Sequence, residues 1–245
     1  MAAEQDPVRL LLLKLRARDV VGAAEERALR DAVADIADVP AGRTLVRSGV
    51  TLSHSTLVVE GMLSRYKDLS EGQRQIQEIH LPGDFTDLHG FVLKRLDHNI
   101  GALTDVKIAT VPHDRLKLIT EEQPHLSRLL WFSTLLDSAI QREKIVSVGR
   151  RAALARVAHL FCELFVRLEL IGLTEDQSFA LPITQLDLGD ATGLTSVHVN
   201  RMLKQLRDRE LATFRGGLVR IHDWDGLRQA AEFDPAYLYL ERRPR

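Results

Sequence analysis

The side chains with the clearest chemistry lie on a predicted helix that begins at Thr195. Ser196, Val197, Asn200 and Arg201 follow it at helical spacing, which brings residues three and four apart onto one face. Arginine can bond guanine O6 and N7 together, asparagine can bond adenine in the same way, and valine can contact a thymine methyl. These residue types predict a helix that contacts base edges in the major groove of DNA.

Other residues nearby are predicted to contact the DNA backbone. Thr195 is the expected N-cap of the helix, and Lys204 follows the base-contacting positions. Gly216 and Gly217 separate two β-prone runs and predict a hairpin, or wing, with Arg215 and Arg220 beside its tip. Residues 195–220 contain six basic and two acidic side chains, whereas the whole chain has a net charge of −1. This local excess of positive charge fits a phosphate backbone.

The residues around this helix predict a helix-turn-helix. Thr184 and Asp187 form a start that resembles a capping box. Gly189 allows two helix backbones to approach closely, and Gly193 tolerates a positive φ in the turn. His198 is expected to lie towards the packed side. The residues expected to pack between the helices and on the core are Leu186, Leu188, Leu194, Val199, Met202 and Leu203.

The rest of the chain predicts a roll and a long helix. Residues 8–38 have a helical composition, whereas short β-prone runs and turn signals alternate from about 40 to 111, as in a small barrel or roll. A helix is then predicted from about 126 to 148. The pattern alone leaves open whether its apolar stripe packs on the roll or on a second copy of the helix. The stripe contains Leu129, Phe132, Leu136 and Ile140.

Several classes of site are excluded or not expected. Cys162 is the single cysteine, so an internal disulfide and a multi-cysteine metal or iron–sulfur site are excluded, and a buried structural thiol is expected. Neither a signal peptide nor an apolar run of about 20 residues is visible, which predicts a cytoplasmic protein without membrane association. The sequence contains no phosphate-binding loop, zinc-spaced pair or nucleophile elbow, so we expect neither catalysis nor a metal or cofactor.

The order of these elements resembles the Crp/Fnr family of bacterial transcription regulators. The resemblance extends from about 40 to 221 and rests on PAGRTLVRSG (40–49), PGDFTDLHG (82–90) and GLTSVHVNRMLKQLRDRELA (193–212). It implies an α+β fold with an N-terminal double-stranded β-roll (jelly-roll-like) and flanking helices, a long dimerisation helix and a C-terminal winged helix-turn-helix. The implied segments are 1–125, 126–149 with the hinge, and 150–245.

The resemblance also implies partners. It implies a homodimer on two-fold symmetric double-stranded DNA, with RNA polymerase as a further partner, and it favours a second copy as the contact of the stripe on the long helix. A winged helix that contacts a protein instead of DNA is the alternative function.

This chain departs from the family pattern at the effector pocket. Cyclic-nucleotide-binding members have a glutamate for the ribose and an Arg-Ser pair for the phosphate. Leu88 stands at the glutamate position, and Leu96 and Asp97 stand at the Arg-Ser positions. We therefore expect cyclic AMP to bind weakly or not at all. Two readings stay open for the polar cluster near this pocket: a site for another effector, or a set of contacts that hold the roll together. The cluster consists of His89, Asp97, His98 and Asn99.

Overall fold

The computed structural model describes residues 6–245, which form two compact units. The first unit contains residues 6–66, Ile79–Ser138 and Tyr239–Arg245, and the second contains Lys67–Glu78 and Ala139–Leu238. The division therefore falls within the long helix, between Ser138 and Ala139. The three segments predicted from the sequence remain a prediction.

The first unit is built on a β-roll of two antiparallel sheets. One sheet has the strand order β1-β7-β3, and the other has the order β2-β6-β4-β5. Lys67–Glu78, which include the end of β4, the turn after it and most of β5, belong to the second unit. The strands are β1 Asp35–Val39, β2 Thr44–Val46, β3 His54–Glu60, β4 Leu63–Asp68, β5 Arg74–His80, β6 Asn99–Ala102 and β7 Val106–Pro112.

The helices of the first unit pack on the outside of the roll. They are α1 Arg9–Arg16, α2 Ala23–Ala32, α3 Gly90–Leu93, α4 His113–Glu122 and the first part of α5, Pro124–Arg150. One apolar core joins α1, α2, α4 and α5 to β3 and β7, and a second core around Ile100 lies between the sheets. The helical prediction for 8–38 is wrong after Ala32, because Asp35–Val39 pair antiparallel with β7 instead.

The predicted stripe on the long helix is divided by the structure. Leu129 and Ile140 are buried within the chain itself, so their assignment to a contact with a second copy is wrong. The Phe132 ring contacts Tyr239 at 6.2 Å between ring centroids and lies 3.9 Å from the Arg245 guanidinium. Leu136 is half-buried. Leu129 packs in the apolar core that α5 shares with the roll, which is the other reading that the pattern left open.

The second unit contains the C-terminal helices and a small sheet. Its elements after α5 are α6 Ala153–Glu169, β8 Ser178–Ala180, α7 Gln185–Thr192, α8 Ser196–Asp208, β9 Ala212–Arg215, β10 Leu218–Ile221, α9 Trp224–Ala231 and a 3-10 turn at Pro235–Leu238. Helix α6 is the centre of the core, with Phe161 and Leu164 fully buried. The Trp224 ring packs 5.2 Å from Phe165 and anchors α9. In the part of the chain described, we find no helix whose length and hydropathy suit a membrane span.

Candidate DNA-binding surface

Helix α7 begins with the predicted capping box. The Asp187 backbone N–H donates to Thr184 Oγ1 at 3.1 Å, and the Thr184 N–H donates to Asp187 Oδ2 at 2.9 Å. Two backbone donors at the start of the helix are thus satisfied by side chains. This pair fixes the residue at which α7 begins.

The turn after α7 depends on two glycines. Gly193 has a φ of +67° and ends α7 in the left-handed region, where a β-carbon is unfavourable. A β-carbon on Gly189 would lie 2.5 Å from the Leu194 carbonyl oxygen, which is closer than non-bonded atoms approach. Both predictions for these glycines are confirmed, and the turn brings Thr195 to the start of α8.

Helix α8 has one buried and one exposed face. Thr195 is its N-cap, with Oγ1 accepting from the His198 N–H at 3.3 Å. Val199, Met202 and Leu206 are buried against the rest of the second unit. The predicted DNA-contacting residues Ser196, Val197, Asn200, Arg201 and Lys204 are all exposed.

The exposed face carries unpaired positive charge. Within residues 6–245, the Arg201 guanidinium and the Lys204 ammonium take part in no ion pair or hydrogen bond. The side chain of Val197 is 80% exposed, so its methyl groups are open to contact with a partner. A face of this composition is suited to a partner that is polar and anionic but also carries methyl groups.

The wing has the predicted hairpin geometry. Strands β9 and β10 pair antiparallel with Arg215 opposite Leu218. Gly216 and Gly217 form the two-residue turn with φ values of +60° and +74°, as a type I′ turn requires. Register and alternation place Arg215 and Arg220 on the same side of the hairpin, and both side chains are exposed.

Two packing predictions for the helix-turn-helix are wrong. Leu186 lies in the first turn of α7 and is 62% exposed. His198 is also exposed. Its Nδ1 lies 3.1 Å from Thr195 Oγ1, so the ring stays beside the N-cap and does not pack inwards.

The turn at 82–90 of the first unit is held by buried polar contacts. Asp87 accepts hydrogen bonds from the Thr56 N–H at 2.6 Å and from Thr56 Oγ1 at 3.2 Å. Burial raises the pKa of Asp87 to about 7. The buried Arg65 donates to the Thr86 carbonyl at 2.9 Å and pairs with Asp137 at 3.4 Å. These contacts join the turn to the roll and to α5.

Each of the four residues of the predicted effector cluster makes a contact within the first unit. The His89 and His98 rings lie 5.5 Å apart, and His98 Nδ1 lies 2.9 Å from Asp97 Oδ1. Asn99 Oδ1 accepts from the Ser48 N–H and so joins two parts of the roll. His89 lines a pocket of about 380 Å³ bounded by α3, α4 and α5, whereas Asp97, His98 and Asn99 do not line it. Burial lowers the pKa of His89 to about 4, so its imidazole is neutral.

Comparison with known proteins identifies both units. Residues 37–123 match the cyclic nucleotide-binding domain, and residues 155–230 match the Crp-like helix-turn-helix domain. The nitrogen fixation regulation protein FixK of Bradyrhizobium diazoefficiens is 32% identical over 66% of this chain and 67% of its own length. The chain belongs to the Crp/Fnr family.

Other members of the Crp/Fnr family support the assignment. The transcriptional activator protein FnrA of Stutzerimonas stutzeri is 27% identical over 76% of each chain. The structure of FixK2 from Bradyrhizobium japonicum superposes with a TM-score of 0.72 at 27% identity, over 81% of this chain and 97% of that one. With the helix-turn-helix described above, these relatives establish a DNA-binding transcription regulator of the Crp/Fnr type with the predicted α+β fold.

The Crp/Fnr roll of this chain does not fit a cyclic nucleotide. Leu88 is buried in the core shared by the roll and the helices, and Leu96 is buried in the core between the sheets. A ribose hydroxyl and a cyclic phosphate need polar or cationic partners. Two buried leucines provide neither, and the Asp97 side chain is 80% exposed and negatively charged.

Sequence reasoning missed two contacts at the end of α7. Lys144 Nζ donates to the Ala191 carbonyl at 3.0 Å, and Gln75 Nε2 donates to the Asp190 carbonyl at 2.8 Å. Their partners are backbone atoms more than 40 residues away, so no local spacing in the sequence indicates them.

Proposed function

We propose that this chain is a homodimer that inserts one α8 from each copy into successive major grooves of two-fold symmetric DNA. The observation that carries the proposal is the division of α8 into an exposed polar face and a buried apolar face. A two-fold dimer with this element places its half-sites about 34–36 Å apart on the duplex.

Each exposed residue has a proposed role. Asn200 and Arg201 make bidentate contacts to base edges, and Ser196 and Val197 contact bases at the start of α8. Phosphates are bound at the N-terminus of α8, where backbone N–H groups favour an anion, and by cationic side chains. The residues proposed to contact phosphates are Thr195, Lys204, Arg215 and Arg220.

The proposed dimer seam lies along the exposed side of α5. Trp131, Leu135 and Ile145 are 66%, 52% and 68% exposed. With Ser138 and Arg142 between them, they repeat at intervals of four and three residues, which is the spacing of a two-stranded coiled coil. Large apolar side chains in one exposed row favour contact with another protein surface. This row replaces the stripe predicted from the sequence.

The regulation that we propose does not use cyclic AMP, because buried leucines occupy the positions that would bind it. We further propose that the chain needs no metal or cofactor, that it has no catalytic activity and that it acts together with RNA polymerase. The last point is supported by the relative FnrA, which is named a transcriptional activator.

Selection of bound DNA from a random pool tests the function. We expect a two-fold symmetric consensus sequence. Arg201→Ala should abolish discrimination at one base pair of each half-site, a loss of about 1–3 kcal/mol. Arg27→Ala, which changes an exposed arginine on α2, should leave the selection unchanged. Recovery of no common sequence by the wild-type protein would contradict the proposal and favour a winged helix that contacts protein.

A further inference from the structure

We propose that Lys144 and Gln75 are positioning residues, which hold the C-terminal end of α7 and thereby set the direction of α8. The inference rests on the proposed function, because its effect is on DNA recognition. Lys144 lies in α5, and Gln75 lies in β5 beside the tip of the β4–β5 hairpin. Both belong to the second unit, together with α7 and α8.

The two side chains bond carbonyl groups that the helix cannot satisfy itself. In an uninterrupted helix, the Leu194 N–H would bond to the Asp190 carbonyl. The Gly193 N–H keeps its regular bond to the Gly189 carbonyl, and the left-handed turn at Gly193 directs the Leu194 N–H to that same carbonyl instead of to Asp190. The Asp190 and Ala191 carbonyls therefore need donors from outside α7, and these donors are Gln75 Nε2 and Lys144 Nζ.

The charge of Lys144 suits this position. The C-terminal end of a helix carries partial negative charge, which a nearby cation stabilises. Burial lowers the pKa of Lys144, while Glu163 and Glu78 act in the opposite direction. An ammonium group removed from water in this way depends strongly on the few acceptors that it has.

Helix α5 and strand β5, which carry Lys144 and Gln75, also lie beside the turn that precedes the DNA-contacting helix. A β-carbon on Gly193 would lie 3.7 Å from Val148 Cγ1 and 3.8 Å from Gln75 Oε1. Thr195, two residues further on, is the N-cap of α8. A movement of α5 or of the hairpin would therefore be passed to α8 through the end of α7.

The position of Lys144 in α5 links this contact to dimerisation. Its neighbour Ile145 belongs to the proposed seam, whereas Lys144 itself bonds α7. Adjacent helix residues point in directions about 100° apart, so one turn of α5 serves two partners. Pairing of two α5 helices would thus fix the helix from which Lys144 reaches α7.

Affinities for a selected DNA site and for a scrambled duplex test the inference. Lys144→Met keeps the apolar stem and removes the donor. We expect the ratio of specific to non-specific affinity to fall about tenfold, as for the loss of one hydrogen bond from a charged donor. Lys144→Arg, which retains a cationic donor, should restore most of this ratio.

Gln75→Glu provides an independent variant, because it keeps the shape but replaces the amide donor with a carboxylate. We expect its ratio to fall as well. Gln73→Glu makes the same charge change at an exposed position of the same hairpin and should behave as the wild type. If Lys144→Met and Gln75→Glu leave the ratio of specific to non-specific affinity unchanged, the inference is overturned. This includes the case in which both affinities fall by the same factor. If the wild type itself shows no specific binding, the proposed function fails instead.

Discussion

The Leu194 carbonyl oxygen occupies the space that a β-carbon on Gly189 would need, at 2.5 Å from its ideal position. The neighbouring atom belongs to the backbone, so it cannot move aside as a flexible side chain does. Gly189→Ala should therefore push the turn away from α7 and destabilise the second unit by about 1–3 kcal/mol, as overpacking does. Urea unfolding followed by tryptophan fluorescence measures this change through Trp224.

Gly149→Ala is the matched control for that substitution. Gly149 lies within α5, and nothing stands within 4 Å of its ideal β-carbon. Alanine is favoured over glycine inside a helix by about 0.5–1 kcal/mol, so this variant should be slightly more stable than the wild type. Equal stabilities of the two alanine variants would show that Gly189 is not tightly packed.

Lys204 and Arg201 are expected to contribute to DNA binding in different ways. Because Lys204 is proposed to contact a phosphate, Lys204→Ala should weaken binding to all sequences alike. It should also reduce the slope of log K against log salt by about 1. Arg201→Ala should change the preference among sequences instead. Binding titrations between 50 and 200 mM salt, approximate limits chosen to resolve the slope, separate the two effects. A Lys204 variant with an unchanged slope would contradict its role.

The helix-turn-helix could be predicted because its determinants are local. The capping pair Thr184 and Asp187, the glycines at 189 and 193 and the apolar residues of α8 act over about 20 residues, a length over which periodicity and turn chemistry are informative. The exposed face of α8 followed from the same pattern. The predictions that Leu186 and His198 pack inwards were wrong because both residues lie at the ends of helices, where periodicity indicates burial poorly.

The long helix could be predicted, but its contacts could not. In the sequence, Leu129 and Ile140 are as compatible with an apolar stripe as Trp131 and Ile145. Only the fold determines that the chain itself buries the first two and leaves the other two exposed. The short strand β1 was missed for a similar reason, since its residues become a strand by pairing with β7, about 70 residues further along the chain. The return of Tyr239–Arg245 to the first unit also has no local signal.

The segment Tyr239–Arg245 is bonded to a cluster of three ionisable side chains: Asp19, Glu25 and His125. His125 Nδ1 lies 2.6 Å from Glu25 Oε1, and Asp19 Oδ2 accepts from the Arg245 N–H at 2.6 Å and lies 3.3 Å from His125 Nε2. The hydrogen bond to Glu25 raises the pKa of His125. Protonated His125 therefore stabilises the folded protein. This contribution is complete below the ordinary histidine pKa of 6.5, and it is lost as the pH rises through the higher pKa of the folded state.

His125→Gln replaces the imidazole with a polar side chain that can still form hydrogen bonds but does not titrate. The difference in unfolding free energy between wild type and variant should be largest at acidic pH and shrink between about pH 6 and 9. Urea unfolding at several pH values measures the difference. A difference that grows with pH would mean that the histidine is stabilised in its neutral form.

Cys162 should be unreactive in the folded protein. Its side chain is fully buried in α6, and burial raises the pKa of the thiol to about 12. Because the thiolate is the nucleophile, both inaccessibility and protonation oppose alkylation. A thiol reagent at about pH 8 should label the protein only after denaturation, as followed by mass spectrometry. Rapid labelling of the native protein would show that α6 opens locally.

Asp87 is expected to favour folding in its protonated form. Burial raises its folded pKa to about 7 from 3.8. Its contribution to stability is therefore complete below about pH 4, declines as the pH rises towards 7 and is absent above that. A shift of this size corresponds to a few kcal/mol at most.

Asp87→Asn keeps an oxygen that can accept from Thr56 and cannot ionise. Relative to the wild type, this variant should gain stability as the pH is raised from 4 to 7, and the gain should level off above 7. Urea unfolding of both proteins across this range gives the difference directly, and Asp35→Asn, the same change at an exposed carboxylate, is the matched control. If the difference between Asp87→Asn and wild type stayed constant with pH, the buried carboxyl would have to be ionised throughout and stabilised by Arg65.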